Sequence, residues 1–369
     1  MMKILLDLTY IDSYSITGVT NYAYRLLDGF IKCNFNKNVV LLVTSENAVI
    51  VEQNTGDYEQ IVIELKTIRR VPYFNGLLNK RQLDKIIENN KIDLFFSPYI
   101  VYHGLYTSKI PFVGVFHDAQ GFKLMESPIK QLLYNIFTKR ILSKTTKIVT
   151  ISNFSKNDIV NREPQLKERI EVIYNSILPV SRPFNSLPKS DPYILNVNTL
   201  EPYKNLITLV KAFNLLKDKI PHMLFVKAQR LPYWDNIIFP YMIKYGLENR
   251  IKLIEMKFSE EEMASLYSNA DLFVSPSLME GFGFTPIEAA LYEIPVICSK
   301  ESALVETTKG LLNYYEPATD EKKLAETILQ LINNPIDKAV LSSISLEYIN
   351  SYSTKNQAGQ FIALFNTIV

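Results

Sequence analysis

Met279-Glu280-Gly281-Phe282-Gly283-Phe284-Thr285-Pro286-Ile287-Glu288-Ala289-Ala290 is the stretch on which the reading of this chain turns. It follows Asp271-Leu272-Phe273-Val274-Ser275-Pro276-Ser277, an apolar run that reads as a buried strand ending in a turn. Two glycines let the backbone pass close to a ligand. The pattern then predicts a helix with Thr285 as N-cap, Pro286 at the first helical position and Glu288 three residues after the cap. Strand, Gly-rich turn and helix start together aim backbone N–H groups and a positive dipole end at an anion. Glu280 and Glu288 flank that site. Each also has an ordinary explanation, Glu288 as the capping-box partner and Glu280 as a loop acid.

Composition bounds the answer. A chain of 369 residues has room for two domains, each with its own core. Forty basic residues against 38 acidic ones argue against general nucleic-acid binding. Cys33 and Cys298 make no disulfide framework and no metal-ligand spacing, and read as reduced, buried thiols of a cytosolic protein. The apolar run at the N-terminus stops at Asp7, too short for a signal-peptide core. No stretch approaches the ~20 apolar residues of a membrane span.

Outward from the organising stretch, strands alternate with helices in both halves, which predicts two parallel-sheet, doubly wound α/β domains. Ile4–Leu8 reads as the first strand, and Tyr10–Thr20 as a polar loop carrying Gly18 into a helix with Tyr22, Leu26, Leu27 and Phe30 on one face. A helix is expected from about Asn79 to Asn89, another over Phe122–Thr145, and another near Trp234–Tyr245. Pro111–Asp118 reads as a strand delivering His117 to its C-terminal tip, where open α/β sheets bind ligands. Pro179 to Pro192, with four prolines and three serines, is the expected linker. Neither half carries an intact Gly-x-Gly-x-x-Gly fingerprint, which disfavours a nicotinamide enzyme.

Several segments together resemble retaining glycosyltransferases of family GT4. They are Glu280–Glu288 (the E-x7-E pattern), Thr199-Leu200-Glu201-Pro202-(x)-Lys204-Asn205, His117-Asp118, Ser259–Ser277, and Pro295-Val296 with Glu306 downstream. The resemblance implies the GT-B architecture: an acceptor-side domain over 1–180, a donor domain over 190–349, and a C-terminal helix of about 350–369 packing back on the first. It implies a nucleotide-sugar donor, transfer across a cleft with retention at the anomeric carbon, and neither metal nor cofactor. The donor phosphate oxygen would take the acceptor proton.

His117 and Glu280 are the implied catalytic residues, at the donor sugar and its anomeric carbon. Lys204 would meet the diphosphate and Glu288 the ribose, while Gly18, Thr199, Gly281, Phe282, Gly283 and Phe284 would line the donor site. The Thr-Leu-Glu-Pro-x-Lys-Asn and His-Asp combination resembles bacterial mannosyl- and rhamnosyltransferase-like enzymes of surface-polysaccharide assembly, which favours GDP-mannose and a saccharide or lipid-linked saccharide acceptor. A non-catalytic partner subunit of a glycosyltransferase complex is the alternative.

The chain departs from the family pattern at Asn198 (usually Gly), at Thr199 and Tyr203 (one of which is usually Arg), at Lys227 (often Gly), at Glu293 (usually Gly) and at Val305 (usually Pro). Thr17 replaces the first glycine of a usual Gly-Gly pair. Lys227 and Arg230 are candidates to restore the missing positive charge.

One stretch stands apart. Lys66–Arg81 holds five cations and no acid, interleaved with Ile68, Tyr73, Phe74, Leu77 and Leu78. It reads either as a solvated basic loop or as a docking segment for an anionic membrane surface at the inner face.

Overall fold

The computed structural model describes residues 2–12, 18–56, 58–67, 74–100, 104–117, 128–180 and 191–369, with the backbone alone at 128–130 and 134. The chain divides into two units, Met1–Leu178 with Tyr352–Val369, and Pro179–Ser351.

In the first unit, seven strands form one parallel sheet. They are β1 (Ile4–Asp7), β2 (Val39–Val43), β3 (Glu59–Val62), β4 (Leu94–Ser97), β5 (Phe112–Phe116), β6 (Lys147–Thr150) and β7 (Ile170–Val172), in the order β3-β2-β1-β4-β5-β6-β7. β1, β2, β4 and β5 are buried along their whole length, as their unbroken apolar runs require when helices cover both faces of a parallel sheet. Strand order reverses between β1 and β4, so a crevice opens at their carboxyl ends.

The last helix, Thr354–Asn366, packs on the helix Gly18–Lys32 and closes this unit. Phe365 meets Phe30, and both Phe361 and Phe365 meet Phe96. The approach is close enough that a Cβ on Gly29 would lie 2.2 Å from the Thr354 carbonyl oxygen, so no larger residue fits there.

The second unit repeats the plan with β8 (Tyr193–Val197), β9 (Met223–Lys227), β10 (Ile251–Ile254), β11 (Leu272–Ser275), β12 (Val296–Ser299) and β13 (Asn313–Tyr315). Their order is β10-β9-β8-β11-β12-β13, all parallel, with the reversal between β8 and β11. The helix Leu206–Leu216 buries Leu206, Leu209, Val210, Phe213 and Leu216 on this sheet, as its spacing predicts.

Local expectations fail in instructive places. The helix Gly18–Lys32 begins inside the expected loop, and the helix Asn75–Asn89 starts a turn early. Helical structure over the expected Phe122–Thr145 runs as Pro128–Lys144, and 122–127 lie outside the described residues. The span Trp234–Tyr245 is a π-turn, Trp234–Ile238, followed by the helix Phe239–Tyr245. Pro240 has no N–H for the carbonyl four residues back, and Phe239 N–H bonds Trp234 O instead. Cys298 is buried as expected, whereas Cys33, just past a helix end, is only half-buried.

The main correction concerns the organising stretch. Its helix is Phe284–Leu291, entered through Gly283 in the left-handed conformation (φ 84°), and no side chain caps it. Thr285 therefore lies inside the first turn, and Glu288 is not a capping-box partner. A glycine that can adopt φ > 0 starts the helix two residues early. The capping box expected at Ser259 does form, between Ser259 and Glu262.

Candidate active site

In the second unit, the loops after β8 and β11 meet at the strand-order reversal. Asn196 bridges the two strands, its side-chain amide donating to Val274 O at 2.7 Å. From β8 the chain runs through an exposed Thr199 to the 3₁₀ turn Pro202–Lys204 and then to Asn205, which takes a left-handed conformation (φ 57°). Asn205 is buried, and its amide donates to Pro276 O and Ala318 O while its carbonyl oxygen accepts from Thr208. Tyr203 O accepts the Leu278 N–H at 2.8 Å. The turn bearing Lys204 is thus stitched to the loop bearing Glu280.

The result is an ion pair. Lys204 Nζ lies 2.8 Å from Glu280 Oε1, and both side chains are mostly buried. Ser277 Oγ donates to the same carboxylate oxygen at 2.8 Å, and the Glu280 N–H donates to Ser302 Oγ at 2.8 Å. Lys204 ends a 3₁₀ turn and is held by a carboxylate. Glu280 is accordingly no loose loop acid.

Around Glu280 the glycine turn is firmly built. Phe282 is buried against Phe284, with ring centroids 5.0 Å apart, and Phe282 O accepts from Thr307 Oγ1. Gly281 is half-buried and Gly283 buried. A Cβ on Gly283 would sit 2.6 Å from Leu304 Cδ2, so position 283 is closed to other residues by space as well as by φ. Glu288, half-buried on the following helix, lies beside the buried Tyr267 hydroxyl, whose pKa is pushed well up by burial first and then by the Glu288 charge. Tyr267 stacks flat on Tyr292, centroids 5.1 Å apart.

Two expected substitute cations have local work. Lys227 Nζ donates to Met256 O at 2.5 Å and lies over the Phe258 ring, with burial lowering its pKa. Arg230 pairs with Asp235 at 2.8 Å and reaches Glu255 at 3.8 Å.

In the first unit, His117 lies just past β5 at the carboxyl edge of the sheet. Its Nε2 is 2.9 Å from Pro98 O. A carbonyl only accepts, so Nε2 carries the proton and the neutral ring presents Nδ1 as an acceptor. Burial lowers its pKa to about 4, outweighing the Pro98 carbonyl, which favours the charged form. Tyr22 and Tyr99 pack edge-on to the ring, at 4.6 and 5.8 Å.

Asp7, at the tip of β1, accepts from the Thr9 N–H and hydroxyl and from Ser97 Oγ; burial nevertheless raises its pKa. Tyr10 stacks edge-on against Tyr99 at 5.4 Å. Gly18 is the exposed first residue of its helix, with open space where a side chain would project. Thr17 and Asp118 lie outside the described residues.

Lys204, Glu280, Gly281, Phe282, Gly283, Phe284 and Glu288 are therefore gathered in one unit, and His117 and Gly18 in the other. The sequence reading missed Ser277, Ser302 and Asn205, which hold the ion pair, and the Asp7, Tyr10, Tyr22 and Tyr99 group around His117. Ser277 and Asn205 lie within the quoted motifs, so a signal was there. Nothing in the order of residues joined Ser302 to Glu280. Among the described residues, no group of three His, Cys, Asp or Glu side chains is placed to hold a metal ion.

Comparison with known proteins agrees with this construction. Residues 16–178 match Glycosyltransferase Family 4, and residues 179–346 match Glycosyl transferases group 1. The O-antigen chain mannosyltransferase RfbU of Salmonella typhimurium is 28% identical over 59% of this chain and 60% of its own length. The O-antigen chain mannosyltransferase B of Escherichia coli is 25% identical over 69% of this chain and 70% of its own. The matches thus span about three-fifths and seven-tenths of the two relatives. A glycosyltransferase crystal structure from Rickettsia africae superposes over 100% of this chain and 98% of its own, with TM-score 0.72 and 18% identity, which speaks to the fold. Two parallel sheets with paired family matches over nearly all of the sequence lead to one conclusion: this chain is a glycosyltransferase of family GT4 with the GT-B fold.

Proposed function

We propose that the protein moves a hexose, mannose from GDP-mannose in the first instance, to a saccharide or lipid-linked saccharide acceptor in polysaccharide assembly. The transfer retains configuration at the anomeric carbon and needs no metal. The observation that carries this reading is the Lys204–Glu280 pair beside the Gly281–Phe284 turn. Glycosyl transfer from a nucleotide sugar releases a diphosphate and leaves positive charge on the anomeric carbon. A buried ammonium and carboxylate in contact offer one group to each.

The named activities of the Salmonella and Escherichia relatives support mannose as the sugar. As a carboxylate, Glu288 accepts hydrogen bonds from ribose hydroxyls through both of its oxygens. Neutral His117 accepts a hydroxyl hydrogen bond from the donor sugar through Nδ1. The first unit receives the acceptor. The protein works in the cytoplasm and docks on the inner membrane face through Lys66–Arg81.

A panel of nucleotide sugars, scored for thermal stabilisation and for donor hydrolysis, tests the donor. GDP-mannose should give the largest shift, and a clear preference for a UDP-sugar would replace it. EDTA should leave turnover unchanged. Loss of activity in chelator, restored by manganese, would end the metal-free reading.

A further inference from the structure

We propose that the docking surface is a two-helix face that inserts apolar side chains into an anionic phospholipid bilayer, with the helix Pro128–Lys144 supplying half of it. This rests on the membrane reading above and extends it to a helix that the basic segment does not include.

The helix Asn75–Asn89 turns one stripe to solvent. Phe74, Leu77 and Leu78 start it, each more than two-fifths exposed, and Arg81 and Lys85 continue it. On Pro128–Lys144 the exposed stripe holds Leu132 (59% exposed) and Ile136 (51%), four residues apart, then Lys139, Arg140 and Lys144. Both stripes therefore run from bare apolar side chains to cations. The two are neighbours: Phe74 packs edge-on to Phe137 with centroids 5.3 Å apart. Gly76 and Leu77 line one depression with Tyr106, Phe137, Arg140 and Ile141. The Arg140 guanidinium lies over the Tyr106 ring at 5.8 Å, which holds it at the edge of that depression.

Charge selects the occupant. Residues 65–83 and 128–144 contain no acidic residue; farther along the helix Asn75–Asn89, Asp84 is paired with Lys80, and Glu88, exposed on the same stripe, is paired with Lys109. Lys80 is tied to Asp84 and Lys139 to Glu163, which leaves Arg81, Lys85, Arg140 and Lys144 as the basic border of the apolar ground. Leucine, isoleucine and phenylalanine projecting from a surface bordered by one sign of charge suit the headgroup–acyl boundary of an anionic bilayer. No helix among the described residues is long and apolar enough to cross a membrane, so attachment of this kind is reversible.

The test uses the full chain and vesicles of phosphatidylcholine with or without phosphatidylglycerol, by co-sedimentation at low and high salt. Wild type should bind the anionic vesicles at low salt. Leu132→Ser with Ile136→Ser should lower that binding at least tenfold; both positions are exposed, so folding is spared. Leu132→Trp should show a blue shift on the same vesicles against the constant background of the buried Trp234.

If the double serine variant binds like wild type while Arg81→Ser with Lys85→Ser does not, insertion falls and purely electrostatic docking stands. Failure of wild type to bind at low salt overturns both readings. A concentration-dependent dimer of wild type that the double serine variant abolishes would assign the face to a second copy and overturn the bilayer.

Discussion

Lys204 Nζ lies 2.8 Å from Glu280 Oε1, so the two charges proposed for opposite ends of a breaking glycosidic bond neutralise each other. Each is positioned by the other. Glu280 is also tethered by Ser277 and Ser302, so its position does not depend on the lysine alone. A buried ammonium and carboxylate left apart would each bear a desolvation penalty; together they are tolerated.

Breaking the pair from one side should therefore cost more than removing both charges. Lys204→Ala leaves a carboxylate unpaired in a mostly buried site and should destabilise by up to roughly 3–5 kcal/mol. Lys204→Met with Glu280→Gln should recover most of that loss in calorimetry while remaining inactive. A double variant no more stable than Lys204→Ala would show that the pair does not govern stability. For a nucleoside diphosphate, Lys204→Ala should weaken binding by about 1–3 kcal/mol, typical of a charge-assisted hydrogen bond.

On the roles proposed for them, His117→Ala and Glu280→Ala should each lower turnover at least about a hundredfold with circular dichroism unchanged. Near-normal rates in both would remove them from the site.

His117 also makes a pH prediction. Its pKa is lowered to about 4 by burial, so between the ordinary histidine value and 4 the unfolded chain holds a proton that the folded chain does not. The stabilisation is complete above the ordinary value of about 6.5 and is lost as pH falls towards 4, up to about 3 kcal/mol. His117→Asn should flatten urea stability over that window. An imidazole that titrates near 6.5 by NMR would refute the lowered pKa and with it this pH window.

Tyr267 and Glu288 should act together on the donor. Glu288→Gln should weaken nucleoside-diphosphate binding by about 1–3 kcal/mol. Given the proposed ribose contact of Glu288, Tyr267→Phe should raise KM for the donor with little change in kcat, because it alters the buried surroundings of that carboxylate. Binding of a 2′,3′-dideoxynucleoside diphosphate should be indifferent to both changes. Equal sensitivity of the dideoxy ligand would detach Glu288 from the ribose.

Gly283→Ala tests the turn itself. The left-handed backbone and the 2.6 Å approach to Leu304 should together destabilise by roughly 1–3 kcal/mol, with donor affinity falling as the turn shifts. Wild-type melting would mean that the turn relaxes freely.

Much of this protein is legible in its residues alone, because the relevant physics is local. Short apolar runs rich in β-branched residues, such as Val39–Val43, suit strands covered on both faces, and the 3.6-residue spacing of Leu206, Leu209, Val210 and Phe213 puts them on one face of a helix. Their alternation carried the doubly wound class, and Glu280–Glu288 taken together with Thr199–Asn205, His117-Asp118 and Ser259–Ser277 carried the family resemblance.

The tertiary structure decided whatever depends on two distant segments meeting. Lys204 and Glu280 are 76 residues apart, and the crossing of strand order between β8 and β11 brings them into contact. Ser302 reaches the Glu280 amide only because β12 lies beside β11. The neutral state of His117 comes from burial, to which the Tyr22 and Tyr99 rings contribute and which outweighs the Pro98 carbonyl; these groups come from the first helix and from the chain just past β4. Even the start of the organising helix escaped the local code, since Thr285, Pro286 and Glu288 satisfied a capping rule that the left-handed Gly283 made unnecessary. Propensity and spacing act along the chain, whereas charge pairing, desolvation and close approach act through space.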